Sequence, residues 1–151
     1  MREPLQELIE RFREAGCKDA EGWAASEIEE GIAQFARCIF LRELWKCAIP
    51  AGSREWLRTL ELPNDDGKGG VQRRLKESNA SIDDLTALVR AAQVSVVRNV
   101  AYLLDGYAPQ GGHVEEVSWG LYELDDDCEP KRDMGGLHES VDDEDEFPSD
   151  T

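Results

Sequence analysis

The stretch from Ser81 to Gly106 constrains this chain more than any other. Ile82, Leu85, Leu88, Val89, Ala92, Val96, Val100 and Leu103 recur at three- and four-residue steps, which gathers them on one face of an α-helix. Ser81 and Asp84 resemble a capping box, with the shorter carboxylate standing in for Glu. Gly106 caps the far end, and Pro109 prevents continuation. A second long helix is expected over 24–48. Its stripe is Ile28, Ile32, Phe35, Ala36 and Ile39, with Glu27, Glu29 and Glu30 near the N-terminal end, where the helix dipole favours acids. From Cys38 to Leu41 the apolar residues run right round the helix, which argues for a central, many-sided position, and Pro50 and Gly52 end it.

Shorter elements surround this pair. Pro4 suits a first helical turn, Leu5, Leu8, Ile9 and Phe12 follow at helical spacing, and Gly16 caps a helix over 4–15. Ser53 is a good N-cap for a short helix containing Trp56, Leu57 and Leu60. Residues 63–70, PNDDGKGG, read as a loop, with a short polar helix over 71–77 beyond it. After Gly106 the period changes. Val117, Trp119 and Leu121 alternate with Ser118, Gly120 and Tyr122, residues 125–130 read as a turn, and 131–138 return as a second strand. An isolated hairpin is marginal in water, so it is expected to lie on the helices through its apolar face. The expected fold is mainly α: a helical bundle with two long core helices plus shorter ones, and a small C-terminal β-hairpin at about 114–138. One domain spans 1–138, and an acidic tail, 139–151, lacks the material for a core.

Charge is where composition enters. A third of the residues are charged and the net charge is −16, so a packed core requires the charges to segregate. They do: the net is −5 over residues 1–36, +4 over 37–76, −2 over 77–106 and −13 over 107–151. Such a surface repels nucleic-acid phosphates and anionic lipid headgroups, which disfavours direct binding to nucleic acid or membrane and favours a basic protein partner. It also favours solubility by itself. Cys17, Cys38, Cys47 and Cys128 show no CxxC spacing, and on one helix Cys38 and Cys47 would sit on nearly opposite faces. Charge from Arg2 onward argues against a secretory signal, and the apolar runs are too short to span a bilayer. Reduced thiols in a cytoplasmic protein are therefore expected.

Each tempting chemical site has a plainer explanation. GKGG at 67–70 lacks the P-loop pattern, because Leu62 stands at the first glycine position and Gly69 at the hydroxyl position. Asp125, Asp127 and Glu129 are spaced like the start of an EF-hand, yet Pro130 replaces the turn glycine and Gly136 the bidentate glutamate. Glu27, Glu30 and Glu43, with Asp83, Asp84 and Asp105 on the partner helix, suggest a magnesium cluster, but read equally as solvated faces; no Glu-x-x-His occurs. Cys17, Cys128, His113 and His138 have no zinc spacing, and Cys128 beside carboxylates is a poor nucleophile. No catalytic residue, metal ligand or cofactor is assigned. Arg37, Arg90 and Arg98 lie in or beside apolar faces and are expected to be bridged to the acidic terminal segments, an anion site being the sharper alternative.

The tryptophans Trp23, Trp45, Trp56 and Trp119 are expected to serve the core, with Trp56 the one expected to reach the surface. The function expected is that of a non-catalytic acidic protein-binding module, of inhibitor, immunity or chaperone type, for a basic protein. Trp56 and the acidic run Asp142, Asp143, Glu144, Asp145, Glu146 and Phe147 are its candidate partner-binding residues. Two alternatives stand beside it: a helical metal-dependent enzyme acting on a phosphorylated or nucleotide small molecule, and a DNA mimic.

Overall fold

Helix α1 runs Leu5–Glu14 and buries Leu8, Ile9 and Phe12. Gly16 then adopts a left-handed φ of 81°, where a side chain would be strained, and turns the chain towards the next helix. Asp19 caps that helix, α2 (Ala20–Glu30), by accepting a hydrogen bond from the Gly22 N–H at 3.1 Å. The computed structural model describes residues 4–58, 68–106 and 119–142.

The single helix expected over 24–48 is two. α2 stops at Glu30, Gly31 takes a left-handed φ of 74°, and α3 starts afresh as Gln34–Trp45. In a continuous helix the Phe35 N–H would bond the Gly31 carbonyl. It donates instead to Glu27 Oε2 at 2.7 Å, so a carboxylate satisfies a first-turn amide of α3. The break lets α3 fold back against α2, and α1 packs on α2 as well. Phe12 is the hub of this three-helix unit, with the Phe35 ring edge-on at 5.2 Å and Trp23 at 6.2 Å.

Reduced cysteines are also corrected, for two of the four. Cys17 and Cys38 form a disulfide across 21 residues of sequence, both sulfurs buried in the core. It joins the end of α1 to the middle of α3. Cys47 and Cys128 are free and exposed. The cytoplasmic placement rested on reduced thiols and loses that support. Among the described residues no helix is long and apolar enough to cross a membrane.

Ser53 precedes a 3₁₀ turn, Glu55–Leu57, and Leu60 of the expected short helix lies outside the described residues. Helix α4, Lys68–Glu77, takes in Lys68, Gly69 and Gly70, so the C-terminal part of the expected loop is helical. Helix α5, Ile82–Leu104, matches its expected length, and Ser81 Oγ accepts from the Asp84 N–H at 3.3 Å. Its buried side is not the expected one. Thr86, Val94, Val97 and Ala101 face inward, towards α3 and the C-terminal segment, while Ile82, Leu88, Val96 and Leu103 are 38, 66, 60 and 45% exposed. Polar anchors set this rotation. The Trp56 indole N–H donates to Thr86 Oγ1 at 2.9 Å. Gln93 Oε1 accepts from the Ile49 N–H at 3.0 Å, and Arg90 donates to the Ile49 carbonyl.

The hairpin pairs β1 (Tyr122–Leu124) with β2 (Pro130–Asp133) antiparallel, Glu123 opposite Arg132. Asp125 shapes its turn by accepting from the Asp127 and Glu129 amides, both at 3.0 Å. The second strand stops at Asp133, and Gly136, with φ 81°, opens a short helix, α6 (Leu137–Ser140). Within the strands Tyr122 and Leu124 are exposed, while flanking them Leu121 packs against the core and Met134, whose N–H donates to the Leu121 carbonyl, is buried. The hairpin is tied down by Arg132 on Glu27 at 2.7 Å and by Leu137 and Val141, both fully buried. The expected strand residues 117–118 and the tail 143–151 lie outside the described residues.

Candidate functional site

The residues singled out for partner binding divide. Trp56 is buried, 9% exposed, and its indole holds the 3₁₀ turn on α5; it presents no ring to solvent, which corrects the expectation that it would. Asp142 is described, with Arg98 Nε 2.6 Å from its Oδ1. Asp143, Glu144, Asp145, Glu146 and Phe147 lie outside the described residues. The tryptophan that does reach the surface is Trp119, 41% exposed, its N–H on the Leu103 carbonyl at 2.5 Å. Alternation around Trp119 gave no hint of this, because the strand it suggested begins later, at Tyr122.

Trp119 sits at one end of an uncharged face. At 100° per residue, Leu88, Ala92, Val96 and Leu103 share a stripe of α5 that points away from the buried side. On another flank of α5, reaching its buried side, lies a hollow of about 550 Å³ whose lining includes Ala51, Thr86, Arg90, Ala91, Val94 and Arg98. A second, of about 530 Å³, is lined by Ala91, Ser95, Arg98, Asn99, Tyr102 and Asp142. The two share Ala91 and Arg98, so they run end to end along the helix. Between residues 85 and 104, α5 carries two charges, Arg90 and Arg98. Each is drawn into a contact, with the Ile49 carbonyl and with Asp142 respectively.

The interior charges form a separate group. Arg37 is buried on α3, donating to the Gly136 carbonyl, to Ser140 Oγ at 2.6 Å and, over 3.5 Å, to Gln34 Oε1. Burial pulls its pKa down, against the opposing fields of Glu139, Asp105 and Glu30; a guanidinium keeps its charge regardless. At the end of α5, Asp105 Oδ2 accepts from the His138 backbone N–H at 2.7 Å and meets His138 Nδ1 at 2.6 Å. The Tyr102 ring lies 5.2 Å from the imidazole. A carboxylate orienting an imidazole is one part of a general-base arrangement. Here the same oxygen also caps α6, and the Ser140 hydroxyl is held by Arg37, so the contacts clamp α6 to α3 and α5. Sequence reasoning passed over this pair because Asp105 and His138 are 33 residues apart.

The acids once weighed as a metal cluster are dispersed. Glu27 caps α3 and binds Arg132, Glu30 accepts from Ser26 at 2.8 Å, and Glu43 binds Arg42 and Lys46. Among the described residues no three His, Cys, Asp or Glu side chains come together as a metal site. The hydrogen bonds from Lys46 and Arg42 hold the Glu43 carboxyl below its ordinary range. The Arg98–Asp142 and Arg37–Glu139 pairs, the latter at 3.8 Å, match the expectation that acids of the C-terminal segment would bridge these arginines.

No family model matches the chain, and no curated protein or solved structure matches it either.

Proposed function

We propose that this chain is a non-catalytic, acidic protein-binding module, of inhibitor, immunity or chaperone type, whose partner is a basic protein. The observation that supports the reading best is the outward face of α5. A chain with a third of its residues charged leaves Leu88 and Val96 more than half exposed on one uncharged stripe. Large exposed apolar patches mark contact surfaces in soluble proteins. The buried charges, by contrast, are engaged in joining elements. In this reading the acidic run Asp142–Phe147 steers a basic partner towards the apolar face, giving fast and salt-sensitive association.

The test is affinity capture from the native cells with washes of rising salt, followed by binding kinetics with the purified partner. One stoichiometric protein surviving high salt is expected. Reversing the charges of residues 142–146 should then slow association roughly tenfold at low salt while leaving dissociation nearly unchanged. An association rate indifferent to both salt and the reversal would remove the tail from the mechanism. Capture of nothing, or only of basic proteins that leave at moderate salt, would overturn the reading.

A further inference from the structure

We propose that the Cys17–Cys38 bond is a redox switch: a dithiol reductant opens it, α1 leaves α3, and α3 loosens its hold on α6. The switch stands on the fold, independently of the reading of the chain as a binding module.

Size makes reduction a conformational event. Helices α1 to α3 span residues 5–45, close to the length of about 40 residues below which a hydrophobic core needs a staple. α1 packs on α2. It meets α3 through the bridge, through the Phe12–Phe35 ring pair and through Arg11, 4.2 Å over the Phe35 ring. Arg42 adds a hydrogen bond to the Ala15 carbonyl at 2.7 Å. Of these ties the bridge alone answers to the redox poise of the solvent. Gly16, with φ 81°, sits beside Cys17 and gives α1 a pivot.

Position carries the signal to the C-terminal segment. Cys38 follows Arg37 on α3, and Arg37 donates to the Gly136 carbonyl and to Ser140 Oγ. The residue next to the bridging sulfur thus holds both ends of α6. Glu27 lies inside the bridged loop, where it caps α3 and binds Arg132 of β2. Opening the bridge loosens both joints. Asp105 on α5 keeps its contacts with His138, so α6 is held from two sides when oxidised and from one when reduced. Thiol–disulfide chemistry of this kind acts by biasing such an element.

The exchange balances. Cys17 is 7% exposed and Cys38 1%, so attack follows a local opening of α1 and falls first on Cys17. A thiolate of the reductant attacks Cys17 Sγ, the S–S bond breaks, and Cys38 leaves as a thiolate that takes up a proton. The second thiol of the reductant attacks the mixed disulfide, frees Cys17 as a thiol and leaves the reductant as its disulfide. Two electrons and two protons pass to the protein, and a disulfide oxidant reverses the step.

The experiment uses the full chain carrying Cys47→Ser and Cys128→Ser, so that one bridge can form. Dithiothreitol is the probe, alkylation counts the thiols, and amide exchange is followed by NMR. On reduction, exchange at the Phe12, His138 and Val141 amides is expected to rise at least tenfold, while Val97 and Ala101 in α5 change less than twofold. Reoxidation should restore the first set. In the oxidised chain Arg37→Gln should raise exchange at His138 and Val141 and leave Phe12 unchanged, and reducing that variant should add less than twofold at α6. If the variant does not fold, the reduction series on its parent decides. A rise at Phe12 with none in α6 would overturn the coupling. An equal rise in α1, α5 and α6 would make the bridge a staple of the whole fold and overturn the switch.

Discussion

Glu27 shows how much one side chain settles here. It is 9% exposed, caps α3 through the Phe35 amide and holds Arg132 of β2, so it joins three elements. Glu27→Ala would leave the part-buried Phe35 amide without its acceptor and strip Arg132 of one of its two carboxylate partners, Glu123 being the other. Urea denaturation should show a loss of about 3 kcal/mol. Glu123 makes the hairpin respond to acid. The Arg132 hydrogen bond, aided by the charges of Arg132 and Lys131, holds its carboxyl below the ordinary range, and burial only partly opposes this. Because the folded value lies below the unfolded one, this stabilisation is fully present above the ordinary carboxylate pKa of about 4.3. It is lost as pH falls through the lower folded value. Amide exchange of Tyr122–Leu124, compared with Glu123→Gln, should show an acid loss in the parent that the variant lacks.

At the level of elements, one break and one clamp organise the chain. Gly31 separates α2 from α3 with a left-handed φ, and a Cβ built there meets nothing within 4 Å. Gly31→Ala should therefore cost about 1 kcal/mol from backbone conformation alone, read as a lowered Tm with helix content unchanged. A gain in helicity would mean that α2 and α3 had merged. The clamp is Asp105 with His138, which fixes α6 on the end of α5. Asp105→Ala removes two hydrogen bonds at a buried site and should destabilise the fold by about 2 kcal/mol, with exchange rising first in α6. Helix α5 is apolar on two sides: one packs through Val94, Val97 and Ala101, and the other is the proposed docking face.

For the molecule as a whole, the Cys17–Cys38 bond closes a loop of about 20 residues around the hydrophobic centre. Restricting the unfolded chain in this way is worth about 3 kcal/mol, so reduction should lower Tm markedly. Alkylation under non-reducing conditions should label two thiols, Cys47 and Cys128, and leave Cys17 and Cys38 unlabelled. Four labelled thiols in the native protein would remove the staple. The exposed ion pairs, such as Arg54–Asp83, contribute less than about 1 kcal/mol each and fade with salt. Packing, the disulfide and the buried polar joints therefore carry most of the stability.

By itself the sequence determined where helices begin and end: α1 before Gly16, and α5 from the Ser81 cap to Gly106. It also determined the 125–130 turn and the segregation of charge. These depend on φ preferences and caps acting within four or five residues. The tertiary structure alone decided which side of α5 faces inward, that Cys17 meets Cys38, that α2 ends at Gly31, and that Trp119 rather than Trp56 is exposed. Those outcomes turn on partners distant in sequence: Cys38 for Cys17 at 21 residues, Thr86 for Trp56 at 30 and Arg132 for Glu27 at 105. Helical period reveals that a face is apolar. Only a distant contact says what that face packs against.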